Sequence, residues 1–257
     1  MYGQHWLKDE TVLNKIIQAA EIKKGEPVLE VGPGLGVLTE KLVTAGARVT
    51  AIENDPELWP VLEEKFGSFI TLIKGDALAF DFSKIFSSGS YKLVANIPYN
   101  ITSPLLQKFL SNAPQPKRLV LMVQREVADR LMAKPPEMSL LSVMAQVYAT
   151  IQKVTNVPKG AFQPPPRVDS AVIVLDTKPQ AEQEQVIAMA KAGFSAKRRQ
   201  LHHNLSAAGY GEASEIKKTL EKLGLSTTIR AENLTIGEWK RLVEAVIPRS
   251  HTTRNLR

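Results

Sequence analysis

There is no cysteine among the 257 residues. That absence removes disulfide staples, thiolate metal sites and cysteine nucleophiles together, and it fits a reducing cytoplasm. Only four histidines are present, too few and too scattered for a metal cluster, so no metal is expected. No apolar run approaches the length that spans a bilayer, which removes the membrane as a partner. The opening residues, Met1 to Trp6, carry neither a basic n-region nor an apolar h-region, so no secretion signal is expected. The tail from Pro248 to Arg257 has little to bury and is expected to be disordered.

Charge of one sign is scarce in one stretch and abundant in another. Residues 1–100 hold 10 Lys/Arg against 13 Asp/Glu, whereas residues 101–257 hold 23 against 13. A near-neutral first part followed by a basic remainder suggests that a polyanion meets the second part. Charge alone does not separate that reading from a plain solvated basic face.

The order of elements points to an α/β domain. Thr11 to Ala20 has helical periodicity, with Val12, Ile16, Ala19 and Ala20 on one face. Pro27 to Val31 is a short apolar run ended by glycines, and it reads as a strand. Leu38 to Ala45 and Glu57 to Phe66 read as helices, with a strand from Arg48 to Glu53 between them. Further strands are expected over Phe69 to Lys74, Leu93 to Asn96, Leu119 to Gln124 and Ser170 to Leu175. Pro104 to Leu110 and Arg125 to Leu131 are expected to be helical. This alternation implies a parallel sheet covered on both faces. After Asp176 the texture changes: Lys178 to Ala181 reads as a linker, followed by helical segments at Glu182 to Phe194, Ala213 to Leu223 and Ile236 to Val246. The expected division is therefore residues 1–177 and 178–257, an α/β domain and a small helical one.

The first chemical signal is Gly32-Pro33-Gly34-Leu35-Gly36 after the strand Val28 to Val31. Glycines at a strand-to-helix turn let the backbone approach a ligand closely, because no Cβ intervenes. The G-x-G-x-G spacing departs from the dinucleotide fingerprint, and no Lys-Ser/Thr follows as in a P-loop. Glu53 ends the next strand, where a carboxylate can accept hydrogen bonds from both hydroxyls of a ribose. Asp76 follows the third strand at the same sheet edge. Ligands of open α/β sheets bind outside the carboxyl ends of the strands, so these residues converge on one crevice suited to a nucleoside cofactor.

Asn96-Ile97-Pro98-Tyr99 follows the fourth strand and resembles the N-x-P-Y motif of methyltransferases that act on exocyclic amines. An adenine amine is a poor nucleophile because its lone pair is delocalised into the ring. The Asn96 side chain and the Ile97 carbonyl can accept its two hydrogens and turn the lone pair toward a methyl sulfonium. Tyr99 can stack on the flipped base. The catalysis is orientation and desolvation, with no strong base required.

Several segments together resemble the KsgA-type small-subunit ribosomal RNA adenine dimethyltransferases. They are Gly3 to Leu7, Glu30 to Gly36, Asn96 to Asn100, Phe162 to Val172, Phe194 to Arg199 and Arg230 to Leu234, and they run along nearly the whole chain. The resemblance implies a Rossmann-like sheet that binds S-adenosylmethionine, a small all-helical C-terminal domain, and dimethylation of two adjacent adenines near the RNA 3′ end. It implies a small-subunit ribosomal RNA partner in a pre-ribosomal particle, and a monomeric enzyme. Cofactor contacts carry over to His5, Leu7, Gly32, Gly34, Glu53, Asp76 and Asn96, with His5 and Leu7 near the methionine part. Asp76 would read the cofactor's adenine amine. Phe162 would sandwich the target base with Tyr99, although an ordinary core phenylalanine is an equal reading. The family usually has Asn-Phe where this chain has His5-Trp6.

In the second half, Phe194, Leu201 and Leu205 fall on one side of a helix drawn through residues 194–205. Lys197, Arg198 and Arg199 are then free to meet phosphates. Erm-type methyltransferases share the N-x-P-Y pattern but modify large-subunit RNA; the Pro164 to Ser170 and Arg230 to Asn233 segments favour the small-subunit enzymes. A non-catalytic RNA-binding relative would not need Glu53, Asp76, Asn96 and Tyr99 intact.

Overall fold

The computed structural model describes residues 5–112, 114–178 and 183–247. The expected disordered tail lies outside the described residues, as does most of the expected linker. The chain divides into two compact units, and the division is discontinuous: residues 1–129 with 149–178 form one, residues 130–148 with 179–257 the other. The expected single break after residue 177 therefore misplaces Arg130–Tyr148, which pack with the helices of the second unit.

In the first unit, chain order gives β1 (Trp6–Leu7), α1 (Glu10–Ala20), β2 (Pro27–Val31), α2 (Val37–Thr44), β3 (Arg48–Glu53), α3 (Trp59–Phe66) and β4 (Ile70–Lys74). Then follow β5 (Lys92–Asn96), α4 (Thr102–Ser111), β6 (Arg118–Gln124) and α5 (Arg125–Leu131), the last crossing into the second unit. After α6 (Leu140–Tyr148) of the second unit, the first resumes with β7 (Ala149–Val157), β8 (Phe162–Gln163) and β9 (Ser170–Thr177).

Seven strands pair in the order β4-β3-β2-β5-β6-β9-β7. The five from β4 to β6 are mutually parallel, as the alternation with helices requires. The expectation of an all-parallel sheet fails at β9, which runs antiparallel to both β6 and β7. β7 was not foreseen. Its alternation is interrupted by a register shift between Lys153 and Thr155, and a bulge of that kind breaks the period-2 pattern by which a strand is read. α6 was also missed, because Leu140–Tyr148 is apolar almost all round and shows no polar stripe.

The core lies on the strands. Val28, Val49, Ala51, Val94, Val120, Met122, Val172 and Val174 pack with Leu13, Ile16 and Ala20 of α1. Asp9 caps α1, accepting from the Val12 N–H at 3.1 Å. The order in which strands are added reverses between the parallel neighbours β2 and β5. From β2 the chain runs outward through β3 to β4 and then crosses to β5 and β6. Such a switch point opens a crevice at the strands' carboxyl ends. A two-stranded ribbon pairs Trp6 with Gln163 and Leu7 with Phe162, bringing the N-terminal segment beside the Pro164 loop.

The second unit continues with α7 (Gln183–Gly193), α8 (Leu201–Ala207), α9 (Ala213–Lys222) and α10 (Ile236–Val246). Trp239 of α10 is wholly buried. Gly193 ends α7 beneath it, where a Cβ would fall 2.6 Å from Trp239 Cη2. Residues 194–200 do not continue as a helix but form a turn before α8, so the helix expected through 194–205 is corrected. The Asn204 side chain donates to the carbonyls of Gly193 at 2.6 Å and Ala196 at 3.1 Å. A side-chain donor thus takes the place of helical N–H groups there, and the chain is held in a turn.

Candidate active site

A cavity of about 570 Å³ sits at the carboxyl ends of β2, β3 and β5, within the first unit. It brings together His5, Leu7, Gly32, Gly34, Glu53, Asp76, Asn96, Ile97, Pro98, Tyr99 and Phe162. Those are all the candidate residues outside the basic turn.

The β2–α2 turn is made by three glycines with φ of +68° at Gly32, +60° at Gly34 and +77° at Gly36. They are not equivalent. A Cβ on Gly32 would meet nothing nearer than Pro98 Cδ at 3.7 Å, so the Gly32 backbone is open to the cavity. A Cβ on Gly36 would lie 2.3 Å from the Phe66 ring. Gly32 lets a ligand approach, whereas Gly36 lets α3 pack.

Glu53 ends β3 and is 7% exposed. Its Oε2 accepts from the Gly34 N–H at 3.2 Å and its Oε1 from the Asp55 N–H at 2.9 Å. Its backbone carbonyl accepts from Trp59 Nε1 at 3.0 Å. The carboxylate is therefore fixed in one orientation with lone pairs to spare, which suits two adjacent hydroxyls. Asp76 is exposed at the mouth of the loop after β4, one oxygen accepting from the Leu78 N–H at 2.8 Å. Lys108 of α4 steadies that loop by donating to the carbonyls of Leu78 and Phe80 at 2.8 and 2.6 Å.

Asn96 is the last residue of β5, half-buried. The Ile97 N–H donates to the Met122 carbonyl of β6 at 3.2 Å, so the Asn96–Ile97 peptide, one unit before the Ile97 carbonyl, is anchored to the sheet. Pro98 is exposed and Tyr99 half-buried. The Tyr99 hydroxyl shares a 2.7 Å hydrogen bond with Ser170 Oγ at the start of β9. Burial pushes that phenol above its ordinary range, with the Ser170 bond working in the opposite sense. Phe162 is buried; it belongs to the core and also lines the cavity. The ring stacked on Tyr99 is His5, with centroids 6.4 Å apart and planes inclined by 28°. His5 Nδ1 lies 2.8 Å from the Pro164 carbonyl. A carbonyl only accepts, so Nδ1 carries the proton.

Three participants were not singled out from the sequence. Trp6 packs on Gly34 and lines the cavity. Ser170 orients Tyr99 through the bond between their hydroxyls. Glu30, buried beside Glu53, also lines the cavity; an acid inside an apolar strand was the available signal.

A model of the ribosomal RNA adenine dimethylase family matches residues 1–247. The chain is 42% identical to ribosomal RNA small subunit methyltransferase A of Thermosynechococcus vestitus, over 95% of each sequence. It is 37% identical to the protein of that name from Syntrophotalea carbinolica, over 96% of each. Among solved structures it is similar to a dimethyladenosine transferase from Plasmodium falciparum, with TM-score 0.80, 30% identity, and 93% and 96% of the two chains covered. It is also similar to the 23S rRNA methyltransferase ErmE, with TM-score 0.76, 27% identity, and 94% and 99% covered.

The chain belongs to the ribosomal RNA adenine dimethylase family. As in that family, it is a Rossmann-like methyltransferase dependent on S-adenosylmethionine. The cavity fits the cofactor: an oriented buried carboxylate, an open glycine backbone and an exposed aspartate converge on one nucleoside-sized space. Among the described residues, no group of three His, Asp or Glu could hold a metal ion, and no helix is long and apolar enough to cross a membrane. Lys197, Arg198 and Arg199 are exposed in the turn before α8 and form no ion pair with a described residue.

Proposed function

We propose that the chain transfers methyl groups to the exocyclic N6 of two adjacent adenines near the 3′ end of small-subunit ribosomal RNA, dimethylating each. It does so as a cytoplasmic monomer acting on a pre-ribosomal particle. The observation that carries the reading is the meeting of Asn96, Ile97 and Tyr99 with Glu53 and Asp76 in one cavity at the sheet's switch point. S-adenosylmethionine, when bound, supplies an electrophilic methyl group. Glu53 holds the ribose hydroxyls, Asp76 the adenine amine, Gly32 and Gly34 the approach of the backbone, and His5 and Leu7 the methionine side. Asn96 Oδ1 and the Ile97 carbonyl accept the two hydrogens of the target amine and direct its lone pair. Pro98 stiffens the turn between them and Tyr99, and the base is held between Tyr99 and Phe162. Residues 1–177 carry this chemistry, apart from what Arg130–Tyr148 add to the second unit. Residues 178–257 meet the RNA, with Lys197, Arg198 and Arg199 on phosphates. Nothing in this chemistry calls for a metal or a membrane.

The small-subunit target rests on relatives about 40% identical that carry that name over nearly their whole length. The likeness to ErmE keeps large-subunit RNA as the second reading. Incubating the protein with methyl-labelled cofactor and separated ribosomal subunits decides between them. Label in two adjacent adenines of small-subunit RNA is expected; label in large-subunit RNA overturns the target, and label in neither overturns the activity.

A further inference from the structure

Glu30 has no part in the chemistry above, yet it is the most enclosed acid of the cavity. It lies on β2, two residues before Gly32, and is 1% exposed. Its strand neighbours are Ala51 and Val94, which offer no charge. Across from it, Thr39 of α2 donates its hydroxyl to Glu30 Oε2 at 2.7 Å. From β3 the nearest charged group is another carboxylate, Glu53, whose own oxygens are held by the Gly34 and Asp55 N–H groups. The other titratable groups of the same cavity are His5, Asp55, Asp76 and Tyr99, and none is a lysine or arginine. Glu30 is thus a buried carboxyl with one neutral donor, a like-charged neighbour and no cation.

We infer that Glu30 is the residue by which this chain distinguishes its charged cofactor from the spent, uncharged one, losing its proton when the sulfonium form binds and keeping it when the thioether form binds. The two forms share the nucleoside, the amino group and the carboxylate. They differ by one methyl group and one positive charge. Glu53, Asp76 and the glycine turn face the shared parts and cannot tell the forms apart. A buried acid lacking a counter-ion can: the amino group's charge is offset in both forms by the ligand's own carboxylate, so only the sulfonium brings an unbalanced positive charge to the cavity. Burial, with Glu53 adding to it and the Thr39 bond opposing it, pushes the Glu30 carboxyl up to about 8. Near neutral pH the free protein therefore holds this proton. Binding of the sulfonium form releases it to solvent; methyl transfer removes the sulfonium charge and frees one proton from the target amine, Glu30 takes up one proton in its place, and departure of the thioether form then needs no further exchange.

Preference for the sulfonium form over the thioether form rises with pH toward about 8, by up to about tenfold per pH unit for one proton released. Above that it levels off, because Glu30 is already ionised in the free protein.

The test is calorimetry on the full chain with S-adenosylmethionine and with its demethylated thioether, in two buffers of different ionisation enthalpy near neutral pH. The expected result is release approaching one proton for the sulfonium form and close to none for the thioether. Glu30→Gln keeps the shape and the Thr39 contact, and should abolish the release and flatten the pH dependence of the affinity ratio. Equal proton counts for the two ligands, or release that persists in Glu30→Gln, overturns the inference. If Glu30→Gln fails to fold, the counts on the parent protein still decide. Thr39→Val then serves as the second variant: removing the hydroxyl should move the plateau to higher pH, and an unmoved plateau counts against Glu30 as the titrating group.

Discussion

The six-membered ring of Trp6 fills the space that a side chain on Gly34 would need: a Cβ built there falls 2.1 Å from Trp6 Cζ3. The Gly34 N–H meanwhile donates to Glu53. One glycine thus ties the N-terminal ribbon, the β2–α2 turn and Glu53 together. Gly34→Ala adds left-handed strain at φ +60° and displaces the indole, for a loss of about 2–4 kcal/mol in stability of the first unit. Denaturant melts read by tryptophan fluorescence, with cofactor titration alongside, check this. Trp6→Ala in the same chain should restore part of the loss; no restoration means the strain is in the backbone alone.

Asn96→Ala should remove most methyl transfer while cofactor affinity falls less. One of two acceptors for a buried amine is lost, worth roughly 2–4 kcal/mol of transition-state stabilisation, by analogy with oriented donors in other active sites. Single-turnover rates compared with cofactor dissociation constants separate the two effects. A variant with near-normal turnover removes Asn96 from the chemistry.

For Glu53 the informative change is Glu53→Gln, because Glu53→Ala also strips the Gly34 and Asp55 N–H groups of their acceptor. The glutamine keeps one acceptor oxygen and loses the charge. Cofactor affinity should fall by on the order of tenfold to a thousandfold, with the methyl-transfer rate at saturation much less affected. Unchanged affinity by calorimetry counts against the ribose role.

Stability has a separate acid-sensitive anchor away from the cavity. Glu26 is buried with Lys92, at 3.0 Å, and also pairs with Lys117. The Lys23 N–H donates to it at 3.0 Å. Burial alone pushes this carboxyl up, but the Lys117, Lys23 and Lys92 contacts outweigh it and hold the group at about 2. A carboxylate depressed on folding contributes stability above its unfolded value and loses it as pH falls toward the folded one. Stability should therefore decline from about pH 4.5 down to about pH 2, by about 3 kcal/mol for this group. Glu26→Gln leaves Lys92 buried without its partner and should cost about 3–5 kcal/mol at neutral pH. Urea melts across the acid range check both, and a Glu26→Gln protein that keeps the full acid dependence refutes the assignment.

Most of the cofactor crevice was legible in the sequence because its residues sit at strand ends, where a short apolar run followed by glycine or a single acid is a local pattern. The elements that were missed depend on partners far along the chain. The ribbon of Trp6–Leu7 with Phe162–Gln163 joins residues more than 150 positions apart and has no local period. β7 is bulged, and α6 carries no polar face to reveal its helix. Glu30 could be read as an acid in a strand, but only the fold shows Glu53 and Thr39 beside it. In the second unit the spacing of Phe194, Leu201 and Leu205 did fit a helix; the Asn204 bonds to Gly193 and Ala196 prevent one.

That turn presents a row of cations to solvent. Lys197, Arg198 and Arg199 are exposed on a short segment braced at one end by Asn204 and closed by the Gly193–Trp239 contact. Three adjacent cations on such a turn, without ion-pair partners among the described residues, are available to successive phosphates. Replacing all three with Gln should weaken RNA binding and flatten its salt dependence. Each lost contact should reduce the slope of log affinity against log salt by somewhat under one unit, the duplex value of about 0.9 being that of B-DNA. Cofactor affinity should not change, since the cavity is built wholly from residues of the first unit. Filter binding at several salt concentrations, with parent and variant side by side, gives the slopes. If the slope is the same in both, the turn is only a solvated surface. The phosphates must then be met elsewhere. Lys117 and Arg118 are engaged with Glu26, Glu21 and Asp176, so Arg125, held to Asp169 at 3.6 Å and well exposed, is the next residue to replace.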